Sequence, residues 1–510
     1  MEQKELFESD LRHRLESLTK EELIEFNEGQ ARIIELYKKE NSRLRDLNSE
    51  LEQKSLYVED QHIVLKNKLF GKSSEKSPQT NKKDRVKTPG QPKILLPSER
   101  YPDARLIERE VELKDLPTCS CCSAEMQDSG MTEDSEFLTI IPEEYIVVRQ
   151  KRHKYRCSKC HGDIKTAPAP PRIKPGSSYS DEMMVDVALT KYCDLIPIER
   201  YSAIAGRAGL KNLPPQSLIE SSHYVADFVK EVYNKLKTEI IESKVLHADE
   251  TPHRMLEGDT RSSWYLWGFS TPETSYFEYH DTRSGDVANE LLKNSKCEYL
   301  MSDVFSGYNK AVRITNEYRD LNNLEKLKNI FCNAHARRKF NDANIRFPAE
   351  AEYYLEQYKQ IYQLENESKS KPPDELFIYR SRMTEYFENM KTQAIADIGG
   401  YSTKSSIYVA MNYFLKNYDG FTAFRSNPQL PIDNNPQERL LRNPVIGRKT
   451  WYGTHSKRGA ETAAILFSIV ESCKLNKINP REYFKNLVQD LQSGKKLYTP
   501  KEFKDLQQNP

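Results

Sequence analysis

Nothing in this 510-residue chain approaches the roughly 18 consecutive apolar residues of a membrane-spanning helix, and the opening segment is charged throughout instead of leader-like. Membrane insertion and export are not supported, and a cytoplasmic protein is expected. An excess of charge is also lacking. The formal net charge is +1, so affinity for nucleic acid must reside in local segments. Nor is there a disulfide framework: nine cysteines, an odd number, in a long chain without a leader point to reduced thiols or metal ligands. The length exceeds what one core can organise, and about three domains with linkers are expected.

From Ile33 onward, apolar residues recur at seven-residue intervals at Tyr37, Leu44, Leu51, Val58 and Leu65, with Ile33 and Leu47 on the adjoining seam. This predicts an N-terminal helical, coiled-coil region over residues 1–70 and self-association through it, although Glu40, Lys54 and Gln61 weaken the second seam. Residues 71–100 read as a flexible linker. Residues 66–93 carry nine Lys or Arg against two acids, and Lys82, Lys83 and Arg85 there are candidate phosphate contacts. Residues 101–172 hold the clustered cysteines and end at the Pro-rich run 167–171. Residues 173–243 are helical in pattern, with a break at Leu213-Pro214-Pro215, and read either as a helix-turn-helix DNA reader or as a helical connector.

Cys119-x2-Cys122 and Cys157-x2-Cys160 form two knuckles whose four thiolates suit one tetrahedral zinc ion, with Cys121 and His161 as spare donors. The 34 residues between them exceed the spacing of compact zinc ribbons. A hairpin of Phe137–Ile141 and Tyr145–Val148 is expected to bring the knuckles together. Cys193, Cys297, Cys332 and Cys473 read as buried free thiols.

After Lys244 the texture becomes strand-like at 244–248, 263–269, 274–279, 298–302 and 329–332, a mixed α/β sheet interrupted by helices over 348–420. Asp249 and Asp303 each end one of these short runs, and Glu438 sits at a helix start. Carboxylates converging from separate elements can hold two divalent metals about 4 Å apart, the arrangement that cleaves or joins phosphodiesters, and magnesium prefers such oxygen ligands. Glu250 is the alternative to Asp249, though a neighbouring strand residue faces the other way. Asp433 is the alternative to Glu438. Near the last acid, Arg439, Arg442, Arg448 and Lys449 offer cations for phosphates and Trp451 an indole for a base, while Glu438 and Arg442 also read as a plain surface ion pair. Arg337, Arg338 and Lys339 open a helix as candidate DNA contacts. His335 reads either as a group orienting DNA or as a packed strand-end histidine.

The segments His247-Ala248-Asp249-Glu250-Thr251-Pro252, Ser302-Asp303 with Gly307-Tyr308, Ala334-His335-Ala336-Arg337-Arg338-Lys339-Phe340, and Asp433-Asn434-Asn435 through Glu438-Arg439 with Gly447-Arg448-Lys449-x-Trp451 resemble the insertion sequence 66 family of DDE transposases. The resemblance spans roughly residues 60 to 485. It implies a multidomain α/β protein with a ribonuclease H-like core over 244–347 and 421–475, a helical insertion over 348–420 and a tail over 476–510. It further implies that Asp249, Asp303 and Glu438 bind two Mg2+ ions, for which Mn2+ can substitute. The implied activity is that of a bacterial, nucleoid-associated transposase that binds the element's terminal inverted repeats and target DNA as a homo-oligomer, cleaves DNA and transfers strands, with small co-encoded accessory proteins. Readings from other classes are an inactive zinc-containing DNA-binding regulator and a plain metal-dependent nuclease. The chain departs from the family pattern at Asn443, Tyr452 and His455.

Overall fold

The computed structural model describes residues 19–70, 96–102, 105–108, 121, 135–139, 144–156, 158, 164–256 and 263–508. Cys119, Cys122, Cys157 and Cys160, the spare donor His161, and the basic residues Lys82, Lys83 and Arg85 lie outside the described residues. The chain falls into two compact units, one within Met1–Ser73, Arg152–Ala203 and Leu213–Pro510, the other within Ser74–Lys151 and Ile204–Asn212. In the second, the Ser98 backbone N–H and hydroxyl both donate to the Glu136 carboxylate at 2.8 Å.

Helix α1 (Lys20–Phe70) starts at a capping box: the Thr19 N–H donates to Glu22 at 2.9 Å, and the Glu22 N–H returns to the Thr19 hydroxyl. Its apolar seam, including Tyr37, Leu44, Leu51 and Val58, is exposed. Strands β1 (Lys154–Arg156) and β2 (Ile164–Thr166) pair antiparallel and flank the second cysteine knuckle. The hairpin expected upstream is not seen among the described residues. The described parts of those runs, 137–139 and 145–148, form no strand, and Phe137 and Val147 are exposed, so no face packs against them to hold a ladder.

Helices α2 (Asp181–Tyr192), α3 (Ile198–Arg207), α4 (Pro215–Phe228) and α5 (Lys230–Glu242) precede a five-stranded mixed sheet. Its strands are β3 (Val245–Arg254), β4 (Ser263–Ser270), β5 (Ser275–His280), β6 (Tyr299–Ser302) and β7 (Lys328–Phe331), in the spatial order β5-β4-β3-β6-β7. The pairs β3–β4 and β4–β5 are antiparallel, whereas β3–β6 and β6–β7 are parallel. The parallel crossovers run through α6 (Gly285–Leu292) and α7 (Ser306–Leu321).

Period-two alternation splits the strands between two cores. Leu246, Ala248, Trp267 and Phe269 pack with Val287, Leu291 and Tyr308 of α6 and α7. On the opposite side, Leu266 and Phe277 meet α2, α4 and two C-terminal helices, α13 (Lys457–Leu475) and α14 (Pro480–Gln492). Helix α13 does more than cover the sheet. Edge strand β5 presents N–H groups outward, and two α13 hydroxyls take them: Phe277 N–H donates to Ser468 at 2.8 Å and Ser275 N–H to Ser472 at 2.9 Å. An edge that would otherwise invite another strand is closed. Among the described residues no helix is long and apolar enough to cross a membrane.

After β7 come α8 (Asn333–Ala343) and three helices, α9 (Pro348–Ser368), α10 (Leu376–Asp397) and α11 (Ser406–Lys416), before α12 (Asn435–Trp451) returns to the sheet. The three helices share a core with Met301 and Ile330, so they extend the sheet's packing. Two asparagines close the excursion. The Asn333 amide donates to the carbonyls of Phe421 and Ile432, both at 3.0 Å. The Asn434 amide donates to the Ala248 carbonyl at 2.8 Å, its oxygen faces His247 Nδ1 at 2.9 Å, and its backbone N–H donates to Cys332 Sγ at 3.1 Å. Because the Asn434 NH2 is spent on Ala248, the histidine must donate from Nδ1, which fixes its tautomer. Asn434→Ala would strand these buried groups, and a loss of roughly 2–4 kcal/mol is expected in urea unfolding; a change within error would show that the clamp is not needed.

Candidate metal centre

His247 of β3 is in register with Met301 of β6, so Asp249 and Asp303, each two residues further, emerge on one face; Asp303 follows the last residue of β6, but Asp249 does not end its strand as expected, because β3 runs on to Arg254 against β4. Each is held by a local bond: Glu250 N–H donates to Asp249 Oδ1 at 2.9 Å and Phe305 N–H to Asp303 Oδ1 at 3.0 Å. Glu438 arrives from the first turn of α12, which Asn434 ties to Ala248 in β3. The opening for it is made in β4. Gly268 lies opposite Asp249 in the ladder, and a Cβ there would run into the Gln437 amide and the Phe277 ring. Only glycine lets α12 lie this close.

Asp249 senses the acids around it. Burial pushes the Asp249 carboxyl well above the usual range, and the charges of Glu250, Glu438 and Asp303 push it further. A buried cluster of like charge is costly unless a cation joins it. Glu438 Oε1 is a buried acceptor without a hydrogen-bond partner, and so is the facing His335 Nδ1, 3.7 Å away. The other Glu438 oxygen lies 3.9 Å from Arg338 Nη2. An unpartnered carboxylate oxygen beside other acids fits a divalent cation, and the group whose donor atoms all lie within 4.8 Å of one another is Glu438, His335 and Cys332. Burial lowers the His335 pKa despite Glu438, leaving a neutral imidazole. Cys332 is close to both but its thiol is pushed up to about 12 by burial, so it stays protonated and structural.

The alternatives to the triad are engaged elsewhere. Glu250 points to the opposite face, where Arg283 Nε donates to it at 2.6 Å and the Tyr308 hydroxyl at 2.6 Å. Asp433 accepts from the backbone and side chain of Asn435 at 3.1 and 2.7 Å, closing the turn into α12.

Arg439, Arg442 and Lys449 are exposed at helical spacing along α12, beside Glu438. Arg338 and Lys339 are exposed on α8, with Lys339 Nζ 5.6 Å over the Tyr413 ring, whereas Arg337 is half-buried. Arg448 is half-buried and reaches β3, its Nη1 3.5 Å from the Thr251 hydroxyl. Trp451 is not an open platform: its half-buried ring sits edge-on to Tyr192 at 6.2 Å and against Gly447, so the indole packs α12 onto α2. Of the departures, Asn443 turns inward and donates to Glu471 of α13 at 2.8 Å, while Tyr452, in a left-handed conformation, and His455 are exposed. Sequence reasoning assigned no role to Asn434, Gly268, Arg283 or Tyr308. An Asn two residues before a proline at a helix start was the one usable signal.

Residues 176–462 match the family described as "Transposase IS66 family", and residues 117–161 match the "zinc-finger binding domain of transposase IS66". The chain is also similar to two uncharacterized proteins of Sinorhizobium fredii. The one called y4hP is 24% identical over 414 residues, covering 75% of this chain and 72% of that protein. The one called y4jD is 27% identical over 390 residues, covering 74% and 75%.

Because the Asp249 pKa is raised on folding, its protonated form is favoured in the folded chain and its ionised form penalises folding as pH rises. Asp249→Asn is therefore expected to melt a few degrees above the wild type near pH 7 in magnesium-free buffer, with the gap closing toward about pH 4. Adding magnesium should stabilise only the wild type; equal melting curves throughout would refute the crowded-carboxylate picture.

Proposed function

The chain belongs to the IS66 family of transposases, and on that premise we propose that it is a working DDE transposase. In this reading Asp249, Asp303 and Glu438 hold two divalent cations, and the enzyme cleaves DNA at the ends of its element and joins them to a target. The observation that carries the proposal is the meeting of three carboxylates from β3, β6 and α12 beside an unsatisfied Glu438 oxygen. An inert regulator would have no cause to retain carboxylates that repel one another. We read the sheet as ribonuclease H-like, a reading supported by three antiparallel neighbours followed by two parallel ones, with one acid within β3 and one directly after β6.

Magnesium bound at such a centre supplies Lewis acidity toward the attacking oxygen and toward the leaving oxygen of an in-line displacement. The chain's own residues do the rest. Asp249 and Asp303 are set by strand register, Glu438 by the Asn434 clamp, and the cations of Arg439, Arg442, Lys449, Arg338 and Lys339 offer a track for the phosphate backbone. Water, and afterwards the freed 3′ hydroxyl, attacks phosphorus directly, so no covalent link to the protein forms. Self-association through the exposed seam of α1 would bring two such centres to two element ends. The half of the molecule that precedes the sheet contributes a structural zinc finger, with Cys119, Cys122, Cys157 and Cys160 as its ligands.

With magnesium and labelled DNA carrying the element's terminal inverted repeats, the wild type should nick and join. Asp249→Ala, Asp303→Ala and Glu438→Ala should each lower both steps by at least about a thousandfold while still binding the DNA. Cleavage without joining would indicate a plain nuclease, binding without cleavage a regulator, and activity surviving the substitutions would remove the triad. Elemental analysis of the full chain should give about one zinc per molecule, and Cys122→Ser or Cys157→Ser should release it. A zinc-free, folded wild type would contradict the four-cysteine assignment.

A further inference from the structure

The donor atoms of Cys332, His335 and Glu438 lie within 4.8 Å of one another, and two of them are unused. Glu438 Oε1 and His335 Nδ1 face each other at 3.7 Å, too far for a hydrogen bond, and both are buried without any other partner. With the imidazole proton on Nε2, both atoms present lone pairs to each other, and a positive centre between them relieves that repulsion. A shared proton would draw them to about 2.8 Å. A divalent metal would hold them at about 3 Å, as neighbouring ligands with bonds near 2.1 Å, which a small side-chain rotation reaches. Cys332 is not the third donor, because its sulfur already accepts the Asn434 N–H.

The imidazole is also built into place. His335 stands in the first turn of α8, whose Asn333 is bonded to the Ile432 and Phe421 carbonyls, and its own N–H donates to the Cys332 carbonyl at 3.2 Å. The same clamp region sets Glu438 through Asn434. The two ligands thus hang from one rigid junction, as a preorganised site requires. Asp303 is near enough to act on the imidazole, so the pair borders the carboxylate cluster.

We propose that His335 Nδ1 is a metal ligand that completes, with Glu438 Oε1, one of the two cation positions, and that this mixed nitrogen and oxygen position takes a first-row transition metal in preference to magnesium. An imidazole in place of an oxygen shifts affinity in that direction. The inference rests on the reading of Asp249, Asp303 and Glu438 as cation-holding groups.

The test is Mn2+ binding to the zinc-loaded full chain, followed by pulsed electron paramagnetic resonance for nitrogen coupled directly to the bound ion. The wild type should show that coupling. His335→Gln should lose it and bind the ion on the order of tenfold more weakly, and His335→Asp should recover affinity without the nitrogen signal, which a folding defect would not allow. Coupling absent from the wild type, or surviving in His335→Gln, while Asp249→Ala still abolishes binding, would overturn the histidine ligand and leave the carboxylate reading standing. Mn2+ binding indifferent to Asp249→Ala, Asp303→Ala and Glu438→Ala would overturn both.

Discussion

Asn434 joins segments that the chain keeps far apart. One amide bonds the Ala248 carbonyl, 186 residues earlier, and the His247 imidazole, while its backbone N–H meets the Cys332 thiol. Every contact is buried, so none can be exchanged for water without leaving a bare polar group. The last acid, the start of α12 and the middle of β3 therefore form one body. The three helices between β7 and α12 can be long because their two ends are fixed at this junction and at Asn333.

The clamp matters because the site it builds is unfavourable by itself. Asp249 is half-buried beside other carboxylates, and the fold holds that repulsion in place with contacts located elsewhere. Glu250, one residue along β3, shows the contrasting solution: its carboxylate is neutralised by Arg283 and Tyr308 on the opposite face. Adjacent acids on one strand thus have different chemistry because strand alternation sends one toward a pairing cation and the other toward an open centre.

Much of this was legible in the residues. Runs such as Ser263–Ser270 are strand-like in composition, and Asp303 does follow a strand end, whereas Asp249 lies within β3, which the pairing with β4 carries on to Arg254. The parity argument against Glu250 holds for the same reason. What the residues could not disclose was distance in space. Asn434 is a polar residue in a polar segment until its partners are known, and Gly268 is one glycine in an aromatic strand until Gln437 lies over it. The indole of Trp451 shows the reverse failure: a side chain suited to nucleic acid spends its surface on Tyr192. At 137–139 and 145–148 the described residues of the expected hairpin form no strand, because a strand needs a neighbour as well as apolar residues.

The two serines of α13 that cap β5 also act as a vernier. Ser468 and Ser472 are one helical repeat apart, about 6 Å along the axis, and the N–H groups they take, on Phe277 and Ser275, are two strand residues apart, about 6.8 Å. The two rulers agree over this single interval and drift out of step beyond it. Sliding the helix by one residue would replace a hydroxyl with Phe467 or Ile469 and leave both amides unanswered. The C-terminal helix is thereby indexed to the sheet at one position, by spacing and not by strength of contact.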